Sequence, residues 1–467
     1  LQSKKSKGEV VRSSYGDGHD ADQVAAMLRD SDPEVIAAGL DACAGMGEEG
    51  MWFMHEVVRH MGSNAKAVRS SAANALGAFG SESMQHADKL VKGLADEAEE
   101  VRVACIVALG NVGVDSEAQR IADLISDSSP AVSAAACQAI GSLGEPGESY
   151  AGLVAKKVDD LQTRHAALVA LANLGSRQHI ADIEKCLTDE DSITRHTAAS
   201  ALGSLADAVE PAAVDRVVGL LTHDDIGVRC SAAMALGYLG DKAAPHTDKL
   251  AALLDDTSED TSEMHLQIGG GSSRSPPTAR YPKCAALIAL GMLHAEAHAG
   301  ACAMCLGDDS YEVRLCALEC FSNMGDAGRK RSNDIAALLD DSTYFVRMKA
   351  CECIGALKAE DAMTSLPELF EDKSPSVKIA ALNALAECPQ VAESFSNEVV
   401  KCVSDHVPLV KAAAVNLIGA LGVTGRCYAS VVASLLVPGP NEEPPVVRAA
   451  ACEALGQMGE YGAAFAD

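Results

Sequence analysis

One register runs through this chain and limits what it can fold into. A basic residue, or its equivalent, opens an apolar helical stretch at Ile36, Arg69, Arg102, Ser133, Arg164, Arg195, Arg229, Lys283, Arg314, Arg347, Lys378, Lys411 and Arg448. Eleven of these thirteen positions are Lys or Arg. Neighbouring members lie 31 to 37 residues apart, except for a step of 54 between Arg229 and Lys283. A length of 467 residues would ordinarily suggest about three globular domains. Self-similarity at a short fixed period predicts instead a quasi-one-dimensional stack in which each unit contacts only its neighbours.

The stretch Ala67 to Gly80 shows the unit plainly. Ala67, Val68, Ala72, Ala73, Ala75, Leu76 and Phe79 recur at spacings of three and four, the stripe of an amphipathic helix. The chain is 48% hydrophobic but only 3% aromatic, so its core must be Ala, Leu, Val, Ile and Cys, which suits closely packed helices better than sheets. Glycine eight residues after the basic position, as at Gly77, Gly110, Gly141, Gly237 and Gly355, is read as a close-packing site. Glycine three residues later (Gly80, Gly113, Gly144, Gly175, Gly240, Gly325) is read as a left-handed helix terminator. Within each unit a first helix, such as His86 to Ala95, should end at an acidic turn, and a second should run from about Val101 to Val112.

An acid recurs six residues before the basic position, at Asp30, Asp96, Asp127, Asp189, Asp308, Asp341, Asp372 and Asp405. Such an Asp can cap the following helix and can meet the Arg of its own or an adjacent unit, which predicts a ladder of Asp–Arg contacts. Arginines already supplied with acids make a poor track for phosphates. The formal charge of −28 also argues against a nucleic-acid backbone or an anionic membrane as partner, and favours basic or helical segments of other proteins. No apolar run approaches the length of about 18 residues that a membrane helix needs, so no membrane insertion is expected. The sixteen cysteines mostly occupy positions that hold Ala, Leu or Val in sister units, with Cys137, Cys351 and Cys452 in the column of Ala73 and Leu168. They read as buried thiols of a reducing compartment, with the cytoplasm as the expected location and a cilium or organelle interior left open.

Residues 1–20 carry Lys4, Lys5 and Lys7 without apolar periodicity and are expected to form a disordered tail, leaving 21–467 for the stack. The long step holds an insertion of about 22 residues, near 256–280, read as a loop; its Ser and Thr beside acids, and Ser275-Pro276, make it a candidate partner-contacting or phosphorylated segment. Gly459 to Asp467 resembles the beginning of a further unit and no polar cap follows, so the last repeat should be incomplete and the sequence part of a longer protein.

The pattern of acidic turn, Val-Arg, Ala-Ala, Ala-Leu-Gly and Gly, as in Asp96 to Gly113 and Asp224 to Gly240, resembles HEAT repeats, specifically the short type of the phycobilin lyases. The resemblance spans about residues 22–467. It implies an all-α, right-handed α-solenoid of about thirteen two-helix repeats, with the second helices lining a concave surface. It also implies an interaction platform: a non-catalytic scaffold or subunit of a larger assembly. A HEAT-type enzyme or chaperone-like lyase acting on a protein-bound cofactor or pigment is the alternative. Deoxyhypusine hydroxylases resemble this fold but carry several His-Glu pairs for iron, where this chain has only His55-Glu56. DNA-alkylation glycosylases of similar architecture use a basic, aromatic face, which a chain with one Trp does not offer.

His294, His298, Cys302 and Cys305 lie four, four and three residues apart and invite a metal reading. Strung along about 16 Å of helix, they cannot converge on one ion, so no metal, cofactor or catalytic residue is assigned. The candidate site is instead the face opposite the core stripe, two, five and nine residues after the basic position. Ser71, Asn74 and Ala78 occupy it in one repeat, and Ala135, Gln138 and Ser142, Cys316, Glu319 and Asn323, and Ala413, Asn416 and Ala420 in others; Asn111 and Asn173 are further members. Two consecutive repeats break the polar pattern with Met234, Tyr238, Ile288 and Met292, a candidate apolar anchor beside the insertion.

Overall fold

The computed structural model describes residues 21–259, 266–268, 271–273, 277–437 and 442–465. The expected tail at 1–20 and the Ser275-Pro276 site lie outside the described residues. Two compact units emerge, one ending at Ala213 and the other beginning at Val214.

Both units are stacks of helix pairs. In the first, the second helices are Pro33–Gly45, Lys66–Ala78, Glu99–Val112, Pro130–Ser142, Arg164–Asn173 and Ser192–Ser204. In the second they are Ile226–Tyr238, Pro282–Met292, Tyr311–Asn323, Tyr344–Leu357, Pro375–Ala386, Pro408–Ala420 and Pro445–Gln457. Each begins within a few residues of its expected basic position. Pro at the first helical turn is frequent because its missing N–H is not needed there.

The first helices are shorter and less regular than the sequence suggests. Where one helix from His86 to Ala95 is expected, a 3-10 segment Gly80–His86 leads into an α-helix of only Ala87–Gly93. In five repeats the chain also comes very close to the preceding helix fourteen residues after the basic position. A Cβ placed on Gly50, Gly147, Gly328, Gly425 or Gly462 would sit 1.9–2.4 Å from a carbonyl oxygen of the preceding second helix. The tight turn lets the two backbones touch, and larger side chains would push them apart.

Side by side, the second helices meet through small residues. A Cβ on Gly77 would lie 2.8 Å from the Cα of Ala108, and the same clash recurs between Gly141 and Ala170, Gly237 and Ala289, and Gly291 and Cys320. The glycine eight residues after the basic position is therefore a packing device. The glycine at plus eleven has a positive φ, between +54° and +75°, at Gly80, Gly113, Gly144, Gly175, Gly240 and Gly325. Gly113 is the expected left-handed terminator, whereas Gly144 and Gly325, with ψ of −126° and −118°, turn the chain sharply into the next segment instead. His294 and Lys358 occupy the same column with φ of 47° and 49°.

The Asp–Arg ladder is present, and it runs between repeats. Arg69 donates from Nε and Nη2 to the two carboxylate oxygens of Asp96, both at 2.7 Å. Its Nη1 donates to the carbonyls of Ser63 and Asn64, in the turn of its own repeat. Arg314 grips Asp341, and Arg347 grips Asp372, in the same forked way. Arg102 reaches Asp127 and Arg164 reaches Asp189, while Arg229 reaches Asp256. Lys283, Lys378 and Lys411 reach Asp308, Asp405 and Glu443. The Asp does not cap the helix at its second or third amide, as supposed. Its Oδ1 accepts instead from the amide two residues on, as from Ala98, Ser129, Ser310 and Thr343, and so fixes the turn. Where the cation is missing the acid is missing too: Ser133 turns back to the carbonyl of Ile125, and the position facing it in the next repeat is Val158.

The insertion is more than a loop. Leu266–Ile268 pairs antiparallel with Gly271–Ser273, and a short helix Pro277–Arg280 follows. Arg280 is buried and joins Glu259 to Glu312, 3.0 Å away, which ties the end of the insertion to the following repeats.

Three outcomes follow from this packing. Replacing Asp372 by Ala leaves the largely buried Arg347 without its carboxylate and should lower unfolding free energy by about 2–3 kcal/mol in denaturant titration. The Arg69 hydrogen bonds hold Asp96 below the usual carboxylate range; at Asp372, burial pushes upward but Arg347 and the Ser374 amide outweigh it. These depressed groups stabilise the fold above their unfolded pKa, and that contribution is lost as pH falls through the folded value. Thermal melts should therefore show Tm dropping below about pH 4, with a shallower drop in Asp96→Asn. Lys358→Gly should raise stability by about 0.5–1 kcal/mol, because it removes a left-handed strain at the cost of a solvent-exposed contact with Glu387.

Candidate functional site

A second helix turns one flank to its first-helix partners and another to neighbouring second helices, which leaves a narrow polar face. The columns at plus five and plus nine form that face. Asn74, Asn111, Gln138, Asn173 and Asn323 are exposed, and Glu319 is half-buried. The plus-two column is not part of it: Ser71, Ala135, Cys316 and Ala413 are all buried. At 100° per residue plus two lies only about 20° from plus nine, so its burial is set by the approach of the neighbouring second helix and not by angle. The seam closes because Gly and Ala allow backbone contact there.

The apolar quartet divides. Met234 is buried, Tyr238 and Ile288 are half-buried, and Met292 is 37% exposed. The Met292 sulfur lies across the backbone of Gly237, 3.1 Å from where a Cβ would stand. Burial pushes the Tyr238 hydroxyl pKa upward. The repeats at Ile226–Tyr238 and Pro282–Met292 thus present a partly covered apolar ridge with one open end at Met292.

A groove of about 520 Å³ opens on the same face, between Tyr344–Leu357 and Pro375–Ala386. Met348, Ile379, Ala380 and Ala384 give it an apolar floor, while Glu352, Asn383 and Glu387 stand along it. Lys349 bridges Glu319 and Glu352, linking the plus-five positions of two consecutive repeats. The sequence does not single out this groove, whose signal is the run of small residues on one helix opposite Ile379 on the next.

The tempting metal set is dispersed. The His294 ring nitrogen Nδ1 is 2.6 Å from the carbonyl of Asn323, and His298 Nε2 is 3.2 Å from Asp248. Cys302 and Cys320 bring their sulfurs to 3.8 Å in the core, and Cys305 turns toward the carbonyl of Ala301. Among the described residues no group of three or more His, Cys, Asp or Glu side chains could hold a metal ion. No helix among them is long and apolar enough to cross a membrane. The ladder arginines, candidates for a phosphate track, are engaged by carboxylates and carbonyls of the stack itself.

All sixteen cysteines are free, and fourteen are buried. Burial pushes the Cys43, Cys105 and Cys351 thiols up to about 12. Cys452 departs from the expectation for its column. It is exposed, since among the described residues no further helix pair stands against the Pro445–Gln457 helix.

These stacked helix pairs with an inter-repeat ladder define an α-solenoid. Family models describing HEAT repeats match residues 87–155, 152–210 and 332–416, and one describing the PBS lyase HEAT-like repeat matches 228–256. The chain is a HEAT-repeat protein. No curated protein matches it in sequence. Among solved structures, the Kap95:Nup1 complex aligns with a TM-score of 0.60 at 14% identity, over 97% of this chain and 70% of that one. Yeast importin-beta (Kap95p) gives 0.58 at 13%, over 97% and 69%, and importin beta in an ammonium sulfate condition gives 0.51 at 12%, over 94% and 69%. At such identities the likeness is one of fold.

The thiol environments are open to direct measurement. In the native protein, Ellman's reagent should titrate only Cys427 and Cys452 promptly, and all sixteen thiols after denaturation.

Proposed function

We propose that this protein is a non-catalytic scaffold that holds segments of other proteins against the exposed face of its second helices. The observation that carries the reading is the groove between Tyr344–Leu357 and Pro375–Ala386, where an apolar floor is flanked by Glu352, Asn383 and Glu387. Such a floor accepts the apolar stripe of a helix, and Glu352 and Glu387, held only loosely by Lys349 at 3.6 Å and Lys358 at 3.7 Å, keep acceptor oxygens for a segment with Lys or Arg on its flanks. Met292 offers a second apolar contact on the same kind of face. The fold likeness to importin-beta solenoids, one of them in a complex with Nup1, supports an interaction role without naming a partner.

The test is affinity purification from the native source with the wild-type chain and with an Ala356→Trp/Asn383→Arg variant. Both positions are exposed, so the substitutions fill the groove without disturbing the core. A partner recovered stoichiometrically by the wild type should fall by about tenfold with the variant at unchanged circular dichroism. Undiminished recovery of the same partners, or a pigment or cofactor retained through purification, would overturn the reading.

A further inference from the structure

The opposite surface of the first unit, formed by first helices, carries a feature that neither the ladder nor the second-helix face explains. Between the helices Met54–His60 and Ala87–Gly93 lies a groove of about 570 Å³. His55, Arg59, Lys89 and Lys92 line it, over Val58 and Met61. Residues 51–95 hold five Lys or Arg against three Asp or Glu, in a chain with 38 basic and 66 acidic residues.

The cations here are not used up by the fold. Arg59 and Lys92 are exposed, and among the described residues neither forms an ion pair. Lys89 is 3.1 Å from the exposed Asp88, and Asp96 at the groove's edge is held by Arg69. Helix electrostatics account for part of the pattern, since Arg59 and Lys92 lie in the last turns of their helices, where positive charge is favoured. They do not account for Lys89, which lies near the start of its helix.

Beside this basic groove the protein exposes its one tryptophan. Trp52 sits in the 3-10 segment Glu49–Phe53 that runs directly into the Met54–His60 helix, and it is 71% exposed. Helical spacing places Trp52, His55 and Arg59 along one side of that run. In the 3-10 segment leading into the next first helix, Met84 is 52% exposed. A bare Trp and Met cost solvation free energy, and aromatic side chains ringed by charge are the usual anchors of protein interfaces.

We infer that this groove is a docking site for an acidic polypeptide segment bearing an apolar side chain, its carboxylates meeting Arg59, Lys89 and Lys92 and its apolar residue covering Trp52. The choice of occupant rests on local charge complementarity: Arg59, Lys89 and Lys92 lie within a Debye length of a segment seated in the groove, while most of the acidic surface of the chain lies farther away and is screened. The site is independent of the proposed second-helix face, and either can fail without the other.

Trp52 makes the test label-free, because all tryptophan emission of the chain reports from this spot. A synthetic peptide alternating Glu with Leu and Phe is titrated into the full chain at about 50 mM and about 300 mM salt. A saturable blue shift of Trp52 emission, weakened several-fold at the higher salt, is expected. Arg59→Glu/Lys92→Glu should weaken binding at least about tenfold, with circular dichroism unchanged; Lys92→Gln gives a milder variant, expected to weaken it about threefold. An unchanged emission up to about 1 mM peptide would overturn the inference. So would equal binding of the same peptide with Gln in place of Glu, undiminished binding by the Lys92→Gln variant, or tighter binding of a single-stranded oligonucleotide or inorganic phosphate.

Discussion

The forked contact between an arginine and the aspartate of the next repeat is the interaction on which the stack depends. A guanidinium has two edges, and most arginine rungs use both; Arg195, which faces His223 in the acid's place, keeps only the carbonyls of its own turn among the described residues. In Arg69 one edge holds the carbonyls of its own turn and the other holds Asp96, whose Oδ1 in turn fixes the turn of the next repeat. The result is a chain of charge-assisted hydrogen bonds running from one interhelical turn to the next, at the depth where water is mostly excluded. Helices of two or three turns are marginal alone, and their ends are their weakest points. The ladder ties those ends together and leaves the small-residue seam to set the distance between them.

Those two devices also decide where function can reside. Backbone contact through glycine and alanine closes the seam between second helices, so only the plus-five and plus-nine columns remain open. Variation among Asn74, Glu319, Ile288 and Met292 is tolerated there because none of them sets the spacing. On the first-helix side, the 3-10 turns hold the chain close to the preceding helix and lift Trp52 and Met84 outward. The molecule therefore presents two chemically different surfaces from one repeat.

The repeat, its period, the core stripe and both glycine columns were legible in the sequence, because each is imposed by geometry that every copy must satisfy. The ladder was legible as a pairing of residue types, while its direction was not: a spacing of six within a repeat and one of 25 to 27 across repeats are equally compatible with Asp meeting Arg. Packing rather than periodicity sets the rest. Ser71 and Ala135 look like surface positions by angle alone and are buried only because a neighbouring helix comes to backbone contact. The glycine at plus fourteen was passed over since it is present in only some repeats, with Ser83 and Ala243 in the same place elsewhere. The basic groove was hidden by a net charge of −28, an average that says nothing about Arg59 and Lys92.

The matched loss at Ser133 and Val158 has a consequence for how such a chain can change. Each rung is made from halves supplied by two successive repeats, so the unit that is complete in itself runs from the middle of one repeat to the middle of the next. A duplication or deletion cut at the helical boundary would join an arginine to whatever the new neighbour carries, and strand a charge wherever that neighbour is a valine. The junction after Ser133, where neither half is charged, is a place where repeats could be exchanged without that penalty. Lineages of this protein should have gained and lost repeats most freely there.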